Sequence, residues 1–172
     1  MKKKAISGVV TAVLMIALVM AMGSVVWVIV NNIVQEKLDE AGSCIDIFEK
    51  IKINNEYTCF NASSKELQFS IGIKDIQADG ALISVLGSGE SKSFRLTTKG
   101  ISEEFLKKYP DGNYGETIFL PGKNSGKTYV MNTELAQISS PNSIKIAPII
   151  NNNQCEVSDS FSPIDDCRKL AN

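Results

Sequence analysis

Apolar and polar positions divide the chain into two unlike parts. From Ala5 to Val34 no Asp, Glu, Lys or Arg interrupts a run rich in Val, Ala, Met, Ile and Leu, and its polar members, Ser7, Thr11, Ser24, Asn31 and Asn32, are uncharged. Apolar side chains would fall on every face of a helix built from this run, and proline is absent. The pattern predicts a membrane-spanning helix, not an amphipathic one lying on a surface. At about 1.5 Å per residue the run is roughly 45 Å long, against a bilayer core of about 30 Å. Started at Ala5, it reaches the far interface near Val26, where Trp27 supplies an amphipathic ring. Trp27 to Val34 is then surplus length that a plain anchor does not need. The helix is expected to continue through Gln35–Glu40 and to stop at Gly42, a C′ glycine.

Beyond Gly42 the period changes. Ile45, Ile47, Ile51 and Ile53 mark a first strand or a helix-to-strand transition, and Leu67–Ile73 alternates apolar and polar residues as a half-buried strand does. Ala81–Leu86 and Ser91–Thr97 flank Gly87–Glu90 and read as a hairpin. Thr117–Leu120, Thr128–Met131 and Ile144–Ile150 are further strands. Ile101–Tyr109 is expected to form one or two helical turns ended by Pro110-Asp111-Gly112, with Glu103-Glu104 and Lys107-Lys108 an exposed face of opposite charges at i, i+4. The expected class is α+β: a long N-terminal hydrophobic helix followed by an antiparallel β-sandwich-like head over residues 43–172.

Charge and cysteine usage orient this plan. Net charge is −1, which gives no electrostatic footprint for nucleic acid, yet Lys2, Lys3 and Lys4 cluster immediately before the apolar run. Such a cluster keeps the N-terminus in the cytoplasm and carries the head outside. Cys44, Cys59, Cys155 and Cys167 all follow the apolar run and none forms a C-x-x-C pair, a usage that fits two disulfides in an oxidising compartment. Four cysteines allow three connectivities; the expectation is the local pairs Cys44–Cys59 and Cys155–Cys167, each closing a short loop.

Candidate chemistry is sparse. There is no histidine, which removes the usual triads and zinc sites, and no nucleophile–base pairing is recognisable. The expectation is therefore no enzyme, no cofactor and no metal. Gly122–Thr128 (GKNSGKT) is one residue short of a phosphate-binding loop and lacks a following helix, so Pro121-Gly122 and Ser125-Gly126 read as turns. Asp159, Asp165 and Asp166 could assist calcium, but without an EF-hand pattern they read as a solvated acidic loop. Asn61-Ala62-Ser63 is an N-glycosylation sequon.

The segment KKKAISGVVTAVLMIALVMAMGSVVWVIVNNIV resembles the N-terminus of archaeal type IV pilins and archaellins. The resemblance covers about 40 residues. It implies a basic leader, residues 1–5, cut by a dedicated membrane peptidase around Lys4, Ala5 and Ile6, with Ile6-Ser7-Gly8 the mature start and 6–42 the filament-core helix. The fifth mature position is Val10, where bacterial type IV pilins carry glutamate, so the archaeal branch is the better match. The implied partners are further copies of the chain, forming a helical homopolymer, the prepilin peptidase, and an assembly platform driven by a separate ATPase, with the membrane holding the precursor. Ala12, Ala17, Ala21 and Gly23 would permit close helix approach, and Met15, Met20 and Met22 adaptable packing. The competing expectation from the same hydropathy is a single-pass anchored protein whose head binds a ligand and never polymerises. A cleaved signal peptide fits less well, because the apolar run continues past Ala21-Met22-Gly23.

Overall fold

The computed structural model describes the backbone of residues 4–45 and 47–170; the side chains of 4–7, 36–43, 45 and 170 lie outside the described set, as do Lys2 and Lys3. The chain divides into two compact units, Met1–Gly42 and Ser43–Asn172. It is α+β, with a long N-terminal apolar helix followed by antiparallel sheets.

Helix α1 spans Lys4–Ile45 and passes through Gly42 instead of stopping there. A helical glycine costs only about 1 kcal/mol relative to alanine. The chain leaves the helix a few residues later, where Ile47 N–H donates to Cys44 O, Lys50 N–H donates to Ile47 O, and Glu49 takes a left-handed φ of 67°.

Strands β1 (Ile51–Asn61), β2 (Glu66–Ile73), β8 (Ser125–Asn132) and β6 (Leu106–Lys108) form one sheet in the order β1-β2-β8-β6. A second sheet runs β10-β9-β3-β4, from Asn153–Gln154, Ser143–Ile150, Gly80–Leu86 and Ser91–Thr97, with β11 (Asp159–Phe161) also paired to β9. Strands β5 (Ile101–Ser102) and β7 (Thr117–Ile118) form a small third sheet. A four-residue helix, α2 (Cys167–Leu170), follows.

The two large sheets enclose one core. Alternation puts Leu67, Phe69, Ile71 and Ile73 of β2 inward, where they meet Ile83, Val85, Phe94, Leu96, Ile144 and Ile146 from the other sheet. Phe69 lies 5.4 Å from the ring of its cross-strand partner Tyr129 and 6.1 Å from Phe94. Buried Tyr129 satisfies its hydroxyl by donating to Phe119 O at 2.7 Å. The β3–β4 hairpin forms with Leu86 opposite Ser91.

Two local expectations are corrected. Ile101–Tyr109 contains no helical turn: it forms β5, a turn closed by Leu106 N–H to Glu103 O, and β6. Phe105 and Leu106 are both buried, and Leu106–Lys108 pairs with β8, so strand pairing overrides the helical spacing of the charges. Ser125-Gly126 is not a turn but the start of β8, opposite Ile73 and Gly72. The turn expected at Pro121-Gly122 is present, closed by Ser125 N–H to Gly122 O.

Candidate functional site

The apolar helix is the feature with the largest unmet physical requirement. Over Gly8–Gln35 it is long and apolar enough to cross a membrane, and every residue of that span is exposed. Its large apolar side chains keep between 46% (Val30) and 71% (Met20) of their surface accessible. Nothing lies within 4 Å of where a Cβ would sit on Gly8 or Gly23. Ser24 Oγ donates to Ala21 O at 2.8 Å, so this hydroxyl is satisfied within the helix. A surface of this kind is stable only in lipid or against other apolar surfaces. The helix therefore indicates a membrane anchor or a signal sequence. The expected processing residues Lys4, Ala5 and Ile6 have helical backbone, but their side chains lie outside the described residues.

All four cysteines are paired, but not locally: Cys44 bonds Cys155 and Cys59 bonds Cys167, across 111 and 108 residues. The local pairs fail because the strands separate their members. Cys44 sits at the entry to β1, while Cys59 lies further along it, opposite Gln68 where Ile51 is opposite Ile73, roughly 17 Å along the sheet. Bridgeable Cα atoms must be within about 7 Å. Cys155 donates its N–H to Pro148 O at one end of β9; β11 then runs antiparallel along β9 and carries Cys167 past the other end. There Phe60 N–H donates to Asp165 O, and Cys59 and Cys167 reach a Cα separation of 4.8 Å. Two disulfides of this kind indicate an oxidising, extracytoplasmic location for the head.

The segment between Cys155 and Cys167 seals one side of the sandwich. Buried Ser158 Oγ lies 3.1 Å from Ile51 O of one sheet and 3.3 Å from Ile146 O of the other. Asp159 accepts the Ile53 N–H at 2.9 Å. Asp159 thus joins edges instead of waiting for a cation. Asp165 pairs with Lys169 at 3.1 Å and Asp166 with Arg168 at 2.7 Å, which holds the Asp166 carboxyl down at about 2. Among the described residues no group of three or more acidic, Cys or His side chains is placed to hold a metal. No family model matches the chain, and no curated protein does either.

The sequon Asn61-Ala62-Ser63 occupies the exposed β1–β2 turn, where Asn61 Oδ1 accepts the N–H of Ser63 at 3.0 Å and of Ser64 at 3.3 Å. Gly122–Thr128 leads from a turn at Asn124 (φ 54°) into β8, and no helix follows, so it lacks the helix N-terminus a phosphate loop requires.

One polar cluster escaped the sequence reading. Lys107 Nζ lies 2.8 Å from Glu66 Oε1, Tyr114 OH donates to the same oxygen at 2.7 Å, and Lys107 Nζ stands 4.5 Å from the Tyr114 ring centre. In a helix Lys107 would face Glu103, whereas β6 sends it across β8 to β2. Partial burial raises the Glu66 carboxyl, but the bonds from Lys107 and Tyr114 outweigh it and leave the pKa below the ordinary 4.5. Burial, then the hydrogen bond it donates to Glu66, pushes the Tyr114 phenol up. A carboxyl lowered by folding stabilises the head above its unfolded pKa, and that contribution disappears as pH falls through the folded value. Glu66→Gln is therefore expected to lower stability at neutral pH by about 1 kcal/mol or less, and to narrow its difference from the parent as pH falls below 4.5. Denaturant midpoints measured from pH 7 to pH 3 check this.

Proposed function

We propose that this chain is the structural subunit of an archaeal type IV pilus-like surface filament. It is made as a membrane-inserted precursor, is processed around Lys4, Ala5 and Ile6, and polymerises through its N-terminal helix. The observation that carries the reading is the wholly exposed apolar helix of 28 residues, Gly8–Gln35, against the roughly 20 a bilayer requires. In the precursor, lipid solvates this surface. In a filament, identical helices replace the lipid, and a segment without ionisable side chains makes that exchange without stranding a charge. The disulfide-bonded head would coat the outside, where adhesion is the role it suits, with Asn61 available for glycan. The likeness of the first 40 residues to archaeal pilins supports the same reading and brings the peptidase and the assembly platform with it.

The same helix also supports a second reading, a single-pass anchored protein whose head binds a partner without polymerising. Processing separates the two. Ala5→Ile, a bulky β-branched residue before the cut, is expected to leave the precursor inserted but uncleaved and to abolish filaments sheared from cells. Filaments built from the uncleaved variant, with the leader confirmed by intact mass, would sink the pilin reading.

A further inference from the structure

Three turns from both sheets converge at the end of the head opposite Ile51. Lys65 O, in the β1–β2 turn, accepts both the N–H (2.9 Å) and the hydroxyl (3.1 Å) of Thr133 in the loop after β8. That loop is fixed in turn by Ile138 N–H to Thr133 O and by Ser139, whose N–H donates to Glu90 Oε2 at 2.6 Å and whose carbonyl accepts from Ser88 N–H in the β3–β4 turn. Lys65, Gln137 and Ser140 all hold left-handed φ values, 54°, 59° and 49°, without being glycine. Such residues persist where the surroundings over-determine them, and they concentrate at ligand clamps.

Between the β1–β2 turn and the loop after β8 lies a recess of about 260 Å³. Half-buried Phe60 and buried Ile138 give it an apolar lining, and Lys65, Glu134, Ser139 and Ser140 give it exposed polar groups. The volume falls below the roughly 300–1,000 Å³ of drug-sized pockets, so it suits a single small ring. One cation and one carboxylate balance, which gives no preference for phosphate. An apolar face with a hydroxyl-bearing edge is the chemistry of a pyranose ring, whose C–H groups pack on apolar and aromatic side chains while its hydroxyls bond carboxylate and serine groups. A larger recess of about 780 Å³ beside Lys52, Asn54 and Gly126 is more open and has no aromatic lining.

We propose that this recess binds one pyranose residue of a glycan, through Phe60 and Ile138 below and Glu134, Ser139 and Ser140 at the rim. The site belongs to the head alone and stands whether the chain polymerises or remains an anchor. Such a ring could come from another surface or from a glycan on Asn61, whose turn forms one wall.

The test uses full-length Ser63→Ala protein, which loses the sequon but keeps the backbone bonds to Asn61 that shape the turn, in a detergent without a sugar headgroup. D-glucose, D-galactose, D-mannose and N-acetyl-D-glucosamine are added singly, and binding is read by saturation-transfer NMR on the ring protons. Binding of at least one sugar with a millimolar Kd is expected. It should weaken ten-fold or more in Glu134→Ala, which leaves the backbone turn at Asn132 intact, and in Ala62→Trp, which obstructs the mouth from an exposed position. Equal uptake by protein purified from the native host would assign the site to an external sugar; uptake by Ser63→Ala alone would assign it to the chain's own glycan. No transfer from any of the four sugars, or transfer unchanged in both folded pocket variants, overturns the proposal.

Discussion

Val19→Asp is expected to abolish filaments while leaving the protein in the membrane. The charge costs about 2.5–3.5 kcal/mol at the centre of a bilayer, and the run's other Val, Ile and Leu residues, at about −0.3 to −0.6 kcal/mol each, offset it. No Lys or Arg lies between Ala5 and Val34 to neutralise an aspartate once helices pack together. Each subunit would then bury an unpaired ion at a penalty of several kcal/mol, repeated along the polymer. Filament yield by shearing and pelleting should fall on the order of 100-fold, with membrane-fraction protein within about two-fold of the parent and Val19→Ile unchanged. Equal filament yield from Val19→Asp would mean that this helix is not packed in a core.

Removing the Cys59–Cys167 bridge is the second large effect. With Cys44–Cys155 intact, the loop it closes runs through that bridge and holds about 27 residues, for which chain-entropy reasoning gives about 3.5 kcal/mol. Against the 5–15 kcal/mol typical of a folded domain, that is a large fraction. Cys59→Ala/Cys167→Ala should lower the thermal midpoint by roughly 10 °C or more, from about 3–5 °C per kcal/mol at this size. The loss has a structural route, because this bridge pins the segment that seals the sandwich through Ser158 and Asp159. Proteolysis should accordingly begin within residues 156–166. Cys44→Ala/Cys155→Ala removes the other long loop and should leave the Cys59–Cys167 peptide intact in a non-reducing digest. A digest yielding Cys44–Cys59 or Cys155–Cys167 peptides instead would contradict the fold.

What was legible in the sequence follows from how local each signal is. The long helix depends on thirty residues of composition, and the strands Leu67–Ile73, Ala81–Leu86 and Ile144–Ile150 on their own apolar patterns, so each was readable in place. The β3–β4 hairpin was readable because Gly87–Glu90 marks its turn. Ile101–Tyr109 was not, because its charge spacing matches a helix, while its conformation is decided by Leu106 pairing with Met131 on a strand far along the chain. The cysteine pairing failed for the same reason. Short sequence separation favours local loops, but the length of β1 and the antiparallel course of β11 decide which ends meet. The Glu66–Lys107–Tyr114 cluster and the recess between the β1–β2 turn and the loop after β8 join residues 40 or more positions apart, and only the topology brings them together.

Protein sheared from the surface of the native host, characterised by N-terminal sequencing and intact mass, tests the filament reading most directly. A pelleting species that begins at Ile6, or at Ala5, with both disulfides retained is the predicted result. Protein confined to the membrane fraction and still carrying Lys2, Lys3 and Lys4 would contradict it and leave the head as a permanently anchored binding domain.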